Sequence, residues 1–148
     1  MNALMTAIVL WLAANFDLPA TNEHPRVEFV PPATITALRY SGISGGQPNS
    51  PAENAGQREV VAVYDDATKT IYLPKGWSGS TPAELSVLVH EMVHHLQNRA
   101  NLRFECPRAR EKLAYEAQGR WLQLFGRDLV SDFEIDGFTR LAITSCYF

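Results

Sequence analysis

The sequence predicts a single α+β domain on three observations. Short runs rich in β-branched and aromatic residues lie in the first half of the chain, at 26–30, 59–65 and 70–74. Two longer segments, 82–99 and 108–125, place apolar residues at the spacing of an amphipathic helix. The length of 148 residues, 46% of them hydrophobic, suits one hydrophobic core and leaves little room for a second domain.

Composition and charge exclude several classes of protein. Thirteen Lys and Arg against sixteen Asp and Glu give a formal net charge of −3, so nucleic acid is not an expected partner. The apolar content is too high, and the net charge too low, for a disordered chain. Two cysteines are too few for a disulfide-dense scaffold or a four-thiolate zinc site.

The first 14 residues are almost all apolar, and they have two interpretations. Leu4, Ile8, Trp11 and Leu12 keep helical spacing, which predicts a buried first helix of the domain. The alternative is a cleaved secretory signal, although no Lys or Arg opens the segment. The run is too short to cross a bilayer as a helix, so no membrane partner is expected.

Turn chemistry and alternation predict the elements that follow. Residues 26–30 alternate as a short strand, whereas 34–40 fits a strand or a helix. Residues 41–57 are rich in Gly, Pro, Ser and Asn, which predicts a flexible loop. The runs 59–65 and 70–74 are joined by four polar residues and predict a hairpin.

The first long helix carries clear boundary signals. Thr81 is a predicted N-cap, Pro82 fits the first helical position, and Glu84 would complete a capping box with Thr81. Apolar spacing extends this helix to about Arg99.

A second long helix is predicted over 108–125, after Cys106 and a proline and before a glycine. The tail, 131–148, predicts one more short helix capped by Asp136. The residues of that helix expected to face inward are Phe138, Leu141 and Ala142.

The first long helix contains the pattern H-E-x-x-H at His90, Glu91 and His94. Residues four positions apart lie on one helical face, so both imidazoles can reach a single Zn²⁺. Glu91 lies beside that face, where it can act as general base for a water on the metal. The alternative without function is that these histidines are exposed on a surface helix. It does not explain the apolar neighbours: Leu88, Val89, Met92, Val93 and Leu96.

A catalytic zinc site needs a third protein ligand, and several candidates exist. His95 lies about 100° from His94 around the helix, and His24 is far upstream. Glu111 lies at the margin of the apolar arc of the second long helix, where an acid needs a cation. We therefore favour Glu111 as the third ligand, with Glu116 second.

Glu111 also has a purely structural interpretation. Arg108 and Arg110 precede it, and an ion pair with either would satisfy the carboxylate without a metal. Glu116 lies on the opposite, polar face, where Arg120 is its i,i+4 partner as on a solvated surface.

These residues resemble the zincin metallopeptidases, in particular the gluzincin-like group. That group carries H-E-x-x-H on one helix and a Glu on a following helix, often as E-x-x-A. The matching residues here are His90-Glu91-Met92-Val93-His94 and Glu111-Lys112-Leu113-Ala114. With His95-Leu96-Gln97 and Ala114-Tyr115, the pattern looks like an uncharacterised group of small bacterial zincin-like proteins. The resemblance covers about 70–118.

The resemblance implies a zincin-like fold, with a small mixed or antiparallel sheet whose edge strand, here 70–74, precedes the H-E-x-x-H helix. Such an edge strand pairs with an extended peptide or protein substrate. The implied activity is zinc-dependent peptide-bond hydrolysis, with Glu91 activating a zinc-bound water. Tyr115 is a candidate donor to the developing oxyanion, its alternative role being that of a buried aromatic.

A second class of function stays open. The chain could be a non-catalytic zincin-fold module that binds a peptide or a protein and keeps the metal for structure. Glu91 favours the enzyme, because a structural site has no need of a general base. Neither the substrate side chains nor the oligomeric state is predicted.

The two cysteines have two interpretations of about equal weight. A disulfide between Cys106 and Cys146 would pin the tail to the glutamate-bearing helix and indicate a periplasmic or exported protein. Two buried free thiols would instead fit the cytoplasm.

Overall fold

The computed structural model describes residues 1–41 and 61–147, which fold as a mixed α+β structure. Within these residues lie three strands and six α-helices, so the predicted fold class is confirmed at this level. In chain order they are α1 (Asn2–Phe16), β1 (Arg26–Val30), α2 (Pro32–Tyr40), β2 (Val63–Asp65), β3 (Thr70–Pro74), α3 (Pro82–Arg99), a 3-10 turn (Pro107–Arg110), α4 (Glu111–Gln123), α5 (Leu129–Phe133) and α6 (Gly137–Thr144). The predicted loop over 41–57 lies outside the described residues, apart from Ser41.

The sheet has the order β1-β3-β2. β3 pairs in parallel with β1, with Arg26 opposite Thr70, and antiparallel with β2, which forms the predicted hairpin. The expectation that 70–74 is an edge strand is therefore wrong, because both sides of this strand are paired. Pro74 is tolerated since it occupies the last position of the strand. Among the described strands, β2 is the edge that contacts α3.

The core lies between α1, the sheet and α3. The predicted first helix is confirmed, and Ile8 and Leu12 are fully buried on it. It ends where Asp17 adopts a left-handed conformation with φ of 55°. Its alternative interpretation as a cleaved signal stays a prediction. No helix in the described ranges is both long and apolar enough to cross a membrane.

Helix α3 is the central element, and every residue from Ser86 to Gln97 is buried. Thr81 caps it as predicted, because its hydroxyl accepts the backbone N–H of Glu84 at 3.1 Å. The prediction that Glu84 would complete a capping box with Thr81 is wrong. The Glu84 carboxylate accepts the backbone N–H groups of Ser78 and Ser80 instead, and this bonding lowers its pKa. The preceding turn is thus tied to the helix start.

The C-terminal region differs from expectation in two respects. The tail contains two helices, α5 and α6, where one was predicted. Asp136 caps α6 as predicted, since it accepts the backbone N–H of Thr139 at 2.7 Å. However, Phe138 and Leu141 are 71% and 56% exposed, and Ile143 is buried in their place. A short helix with apolar residues on more than one side can bury either side. Contacts with α4 and the 3-10 turn determine that the side with Ile143 is buried.

Cys106 and Cys146 form a disulfide, the first of the two predicted states. It joins the segment before α4 to the segment after α6 across 40 residues of sequence. We expect the C106A/C146A double variant to lose about 2–4 kcal/mol of unfolding free energy, because closing a loop of this size restricts the unfolded chain. Denaturant unfolding measures this loss. Two reactive thiols in unfolded, unreduced wild-type protein would contradict the bridge.

Candidate metal centre

His90 and His94 lie one turn apart on the buried part of α3, and their rings are adjacent. The ring centroids are 5.1 Å apart, and both side chains are buried. The i,i+4 spacing turns both Nε2 atoms toward the same point, where the side chain of Glu111 also arrives.

Glu111 is the first residue of α4, directly after the 3-10 turn. Its Oε1 lies 3.0 Å from Nε2 of His90 and 3.0 Å from Nε2 of His94, and its Oε2 lies 2.8 Å from Nε2 of His94. One donor atom from each of the three residues falls within 4.8 Å of the others. The two predicted histidine ligands and the favoured third ligand thus form one buried cluster that could bind a metal ion.

The electrostatics of the cluster favour a cation among these groups. Burial lowers the pKa of His90, but the carboxylates of Glu111 and Glu91 and the hydrogen bond to Gln118 together outweigh it, so the pKa is raised overall. Burial likewise raises the pKa of Glu111, and the facing imidazoles His94 and His90 outweigh it, so the pKa falls well below the usual range. The buried negative charge of Glu111 would favour a divalent cation between the three side chains.

The other proposed ligands lie elsewhere. Nδ1 of His95 contacts the Tyr64 hydroxyl at 2.9 Å, and Nε2 contacts the backbone carbonyl of Glu23 at 2.7 Å. His24 contacts Thr6. Glu116 is half-exposed and does not belong to the cluster of donor atoms. The preference for Glu111 over Glu116 and the two other histidines agrees with this arrangement.

Arg110 does not provide the structural ion pair that was considered for Glu111. It binds Asp66 with two bonds, Nη1 to Oδ2 at 2.5 Å and Nη2 to Oδ1 at 2.9 Å. The ion pairs of Glu111 itself are with His90 and His94. Its carboxylate therefore faces the imidazoles.

A cavity of about 530 Å³ lies against the cluster. Glu91 lines it, with Oε2 3.9 Å from Nε2 of His90, so the predicted general base lies beside a predicted metal ligand. Tyr115 also lines it, and its ring packs edge-on against His90 with centroids 4.5 Å apart. The remaining walls come from α2, from the residues before β2, from α3 and α4, and from the C-terminal region.

Sequence reasoning assigned no role to two buried residues, Gln97 and Gln118, that contact the histidines. Oε1 of Gln97 lies 2.9 Å from Nδ1 of His94, and Oε1 of Gln118 lies 2.8 Å from Nδ1 of His90. Gln97 follows His94 by three positions, and Gln118 lies on the Glu111 side of α4. A search for amides one helical turn from each ligand could have found the first of them.

Residues 1–136 match the profile of a domain of unknown function, DUF6647. The chain belongs to the DUF6647 family. No curated protein matches the chain, and no solved structure matches it. The description of DUF6647 names no activity, so the function has to be argued from the residues of the site.

Proposed function

We propose that this chain is a zinc-dependent metallopeptidase of zincin type. The observation that carries the proposal is the convergence of His90, His94 and Glu111 on one point, with Glu91 beside it, at the wall of a cavity. Two imidazoles and one carboxylate are the protein ligand set of several catalytic zinc sites, which keep the fourth position for water or substrate.

The donor chemistry supports zinc over the harder divalent cations. Ca²⁺ and Mg²⁺ prefer oxygen donors, whereas two of the three donors here are imidazole nitrogens. When bound, Zn²⁺ lowers the pKa of a coordinated water toward neutrality and polarises a substrate carbonyl.

Glu91 is placed to move protons in peptide hydrolysis. It follows the ligand His90 directly, and its carboxylate lines the cavity. In the proposed reaction, Glu91 takes a proton from the attacking water and passes it to the leaving amine as the peptide bond breaks. Tyr115, at the same wall, is the proposed hydrogen-bond donor to the oxyanion that develops on the carbonyl.

The strand next to the cavity suggests how a peptide would be held. Val61 and Ala62, just before the edge strand β2, line the cavity. An extended substrate could run beside these residues and add to the sheet through its backbone. We therefore propose β2 as the strand that binds the substrate, in contrast to the strand 70–74 named from the sequence.

The alternative, a peptide-binding module with a structural metal, makes no use of Glu91. A structural zinc site is closed by four protein ligands, whereas the described cluster supplies three beside a cavity. These two features favour the enzyme.

The test is hydrolysis of an unstructured polypeptide such as denatured casein. We expect the zinc-loaded protein to release peptides, a strong chelator to stop the release, and added Zn²⁺ to restore it. Folded, zinc-loaded protein that cleaves neither casein nor a mixed peptide library would contradict the proposed activity and favour the binding module.

A further inference from the structure

The orientation of the Gln97 side chain is determined by its neighbour on the 3-10 turn. Its Nε2 donates to the backbone carbonyl of Arg110 at 3.0 Å, and a carbonyl oxygen can only accept. The other end of the amide, Oε1, therefore faces Nδ1 of His94 at 2.9 Å. Because Oε1 is also only an acceptor, Nδ1 of His94 must carry the proton.

Gln118 is oriented in the same way through a different chain of bonds. The hydroxyl of Ser86 donates to the carbonyl of Ala83 at 2.7 Å, so its proton is already used. Its oxygen accepts Nε2 of Gln118 at 3.2 Å, which leaves Oε1 of Gln118 facing Nδ1 of His90 at 2.8 Å. Nδ1 of His90 must likewise carry a proton.

We infer that Gln97 and Gln118 are positioning residues that hold His94 and His90 as Nδ1–H tautomers and thereby make Nε2 of each ring the metal donor. Both amides are buried, so water does not compete for these bonds. The inference rests on the proposed metal site and adds to it the residues that orient its ligands.

Gln97 has a second consequence, because it joins the two ligand-bearing elements. Its amide binds His94 at one end and the carbonyl of Arg110 at the other, and Arg110 immediately precedes Glu111. One side chain thus bridges the His94 ring and the residue before α4. Gln118 connects His90 to the first turns of α3. Its Nε2 donates to the Ser86 hydroxyl, which in turn donates to the Ala83 carbonyl.

Zinc affinity, measured by competition with a chromophoric chelator, tests the inference without depending on peptide hydrolysis. We expect Q97L and Q118L each to bind zinc about 10- to 100-fold more weakly than wild type. The matched control is Q123L, because Gln123 is an exposed glutamine on α4, and it should bind like wild type. Thermal unfolding of each metal-free variant checks that the fold is kept.

Replacing each glutamine by glutamate tests whether it orients the histidine or only fills space. The two amides have different partners, since Gln118 bonds a hydroxyl and Gln97 bonds a carbonyl. In Q118E the NH₂ group that bonds the Ser86 oxygen is gone, so we expect the Ser86 hydroxyl to leave the Ala83 carbonyl and donate to the new carboxylate. We therefore expect recovery of about tenfold or more of the affinity lost in Q118L. In Q97E the new carboxylate meets the Arg110 carbonyl, which cannot donate, so we expect no recovery over Q97L. Should Q97L or Q97E fail to fold, the Q118L and Q118E pair decides.

A nuclear magnetic resonance readout tests the tautomers directly. In the zinc-loaded wild type we expect slowly exchanging Nδ1–H protons on His90 and His94, and we expect Q118L to lose the slow exchange at His90 alone. Wild-type zinc affinity in folded Q97L and Q118L, or coordination through Nδ1, would overturn this inference while leaving the metal site intact. A wild type that binds no zinc would overturn the proposed function and the inference together.

Discussion

Replacing Glu91 by Gln will lower the rate of peptide hydrolysis by about 10²- to 10⁴-fold while zinc stays bound. Gln keeps the size and shape of this buried side chain, so the packing of α3 is preserved. The amide cannot take a proton from water, so the proposed general base is removed without loss of a metal ligand. The measurement is kcat on a peptide substrate, together with the zinc content of the same sample.

The matched control for that variant is E116Q. Glu116 lies on α4, is half-exposed and does not belong to the metal cluster, so E116Q should hydrolyse peptides at the wild-type rate. Undiminished hydrolysis by E91Q at full zinc occupancy would remove Glu91 from the mechanism.

Replacing Glu111 by Ala will weaken zinc binding by more than about 100-fold, a larger loss than that expected for residues outside the ligand set. The change removes one of three donors and the negative charge that faces both imidazoles. Without that charge, the pKa of His90 should fall, because the Glu111 carboxylate is the largest of the contributions that raise it against burial. Titration calorimetry with zinc, and titration of the His90 ring in the metal-free protein, measure the two effects.

E116A is the control for Glu111, because it removes a carboxylate from the same helix outside the cluster. It should bind zinc as tightly as wild type. Tight zinc binding by E111A would instead assign the third ligand to another group, with Glu91 the nearest carboxylate to His90.

Local sequence signals predicted much of the fold because they act over a few residues. Thr81 and Pro82 define the start of α3 through backbone geometry and one hydrogen bond, and both features are present in the structure. The H-E-x-x-H spacing and the position of Glu111 on its helix depend on helical periodicity alone. These signals led us to favour the three residues of the cluster, with Glu116 as the second candidate for the third ligand.

The features that sequence reasoning missed depend on long-range pairing. Whether 70–74 is an edge or a central strand depends on its pairing with β1, some 40 residues earlier in the chain, and alternation carries no information about that partner. The prediction of which face of α6 points inward was wrong for the same reason. Contacts with α4 and the 3-10 turn decide that Ile143 is the buried residue.

The roles of the two glutamines that contact the histidines could not be predicted from the sequence either. Gln97 and Gln118 were visible in the sequence, but their function depends on which end of each amide faces a histidine. That orientation is determined by the Arg110 carbonyl and the Ser86 hydroxyl, which no periodicity indicates.

Anomalous diffraction at the zinc absorption edge, from crystals of the wild-type protein grown with Zn²⁺, tests the metal centre most directly. We predict one strong peak about 2.0–2.2 Å from Nε2 of His90, Nε2 of His94 and a carboxylate oxygen of Glu111, with a further position open to the cavity. A crystal grown with Zn²⁺ that shows no peak among these three residues, or zinc held by a different set of ligands, would contradict the proposed metal centre.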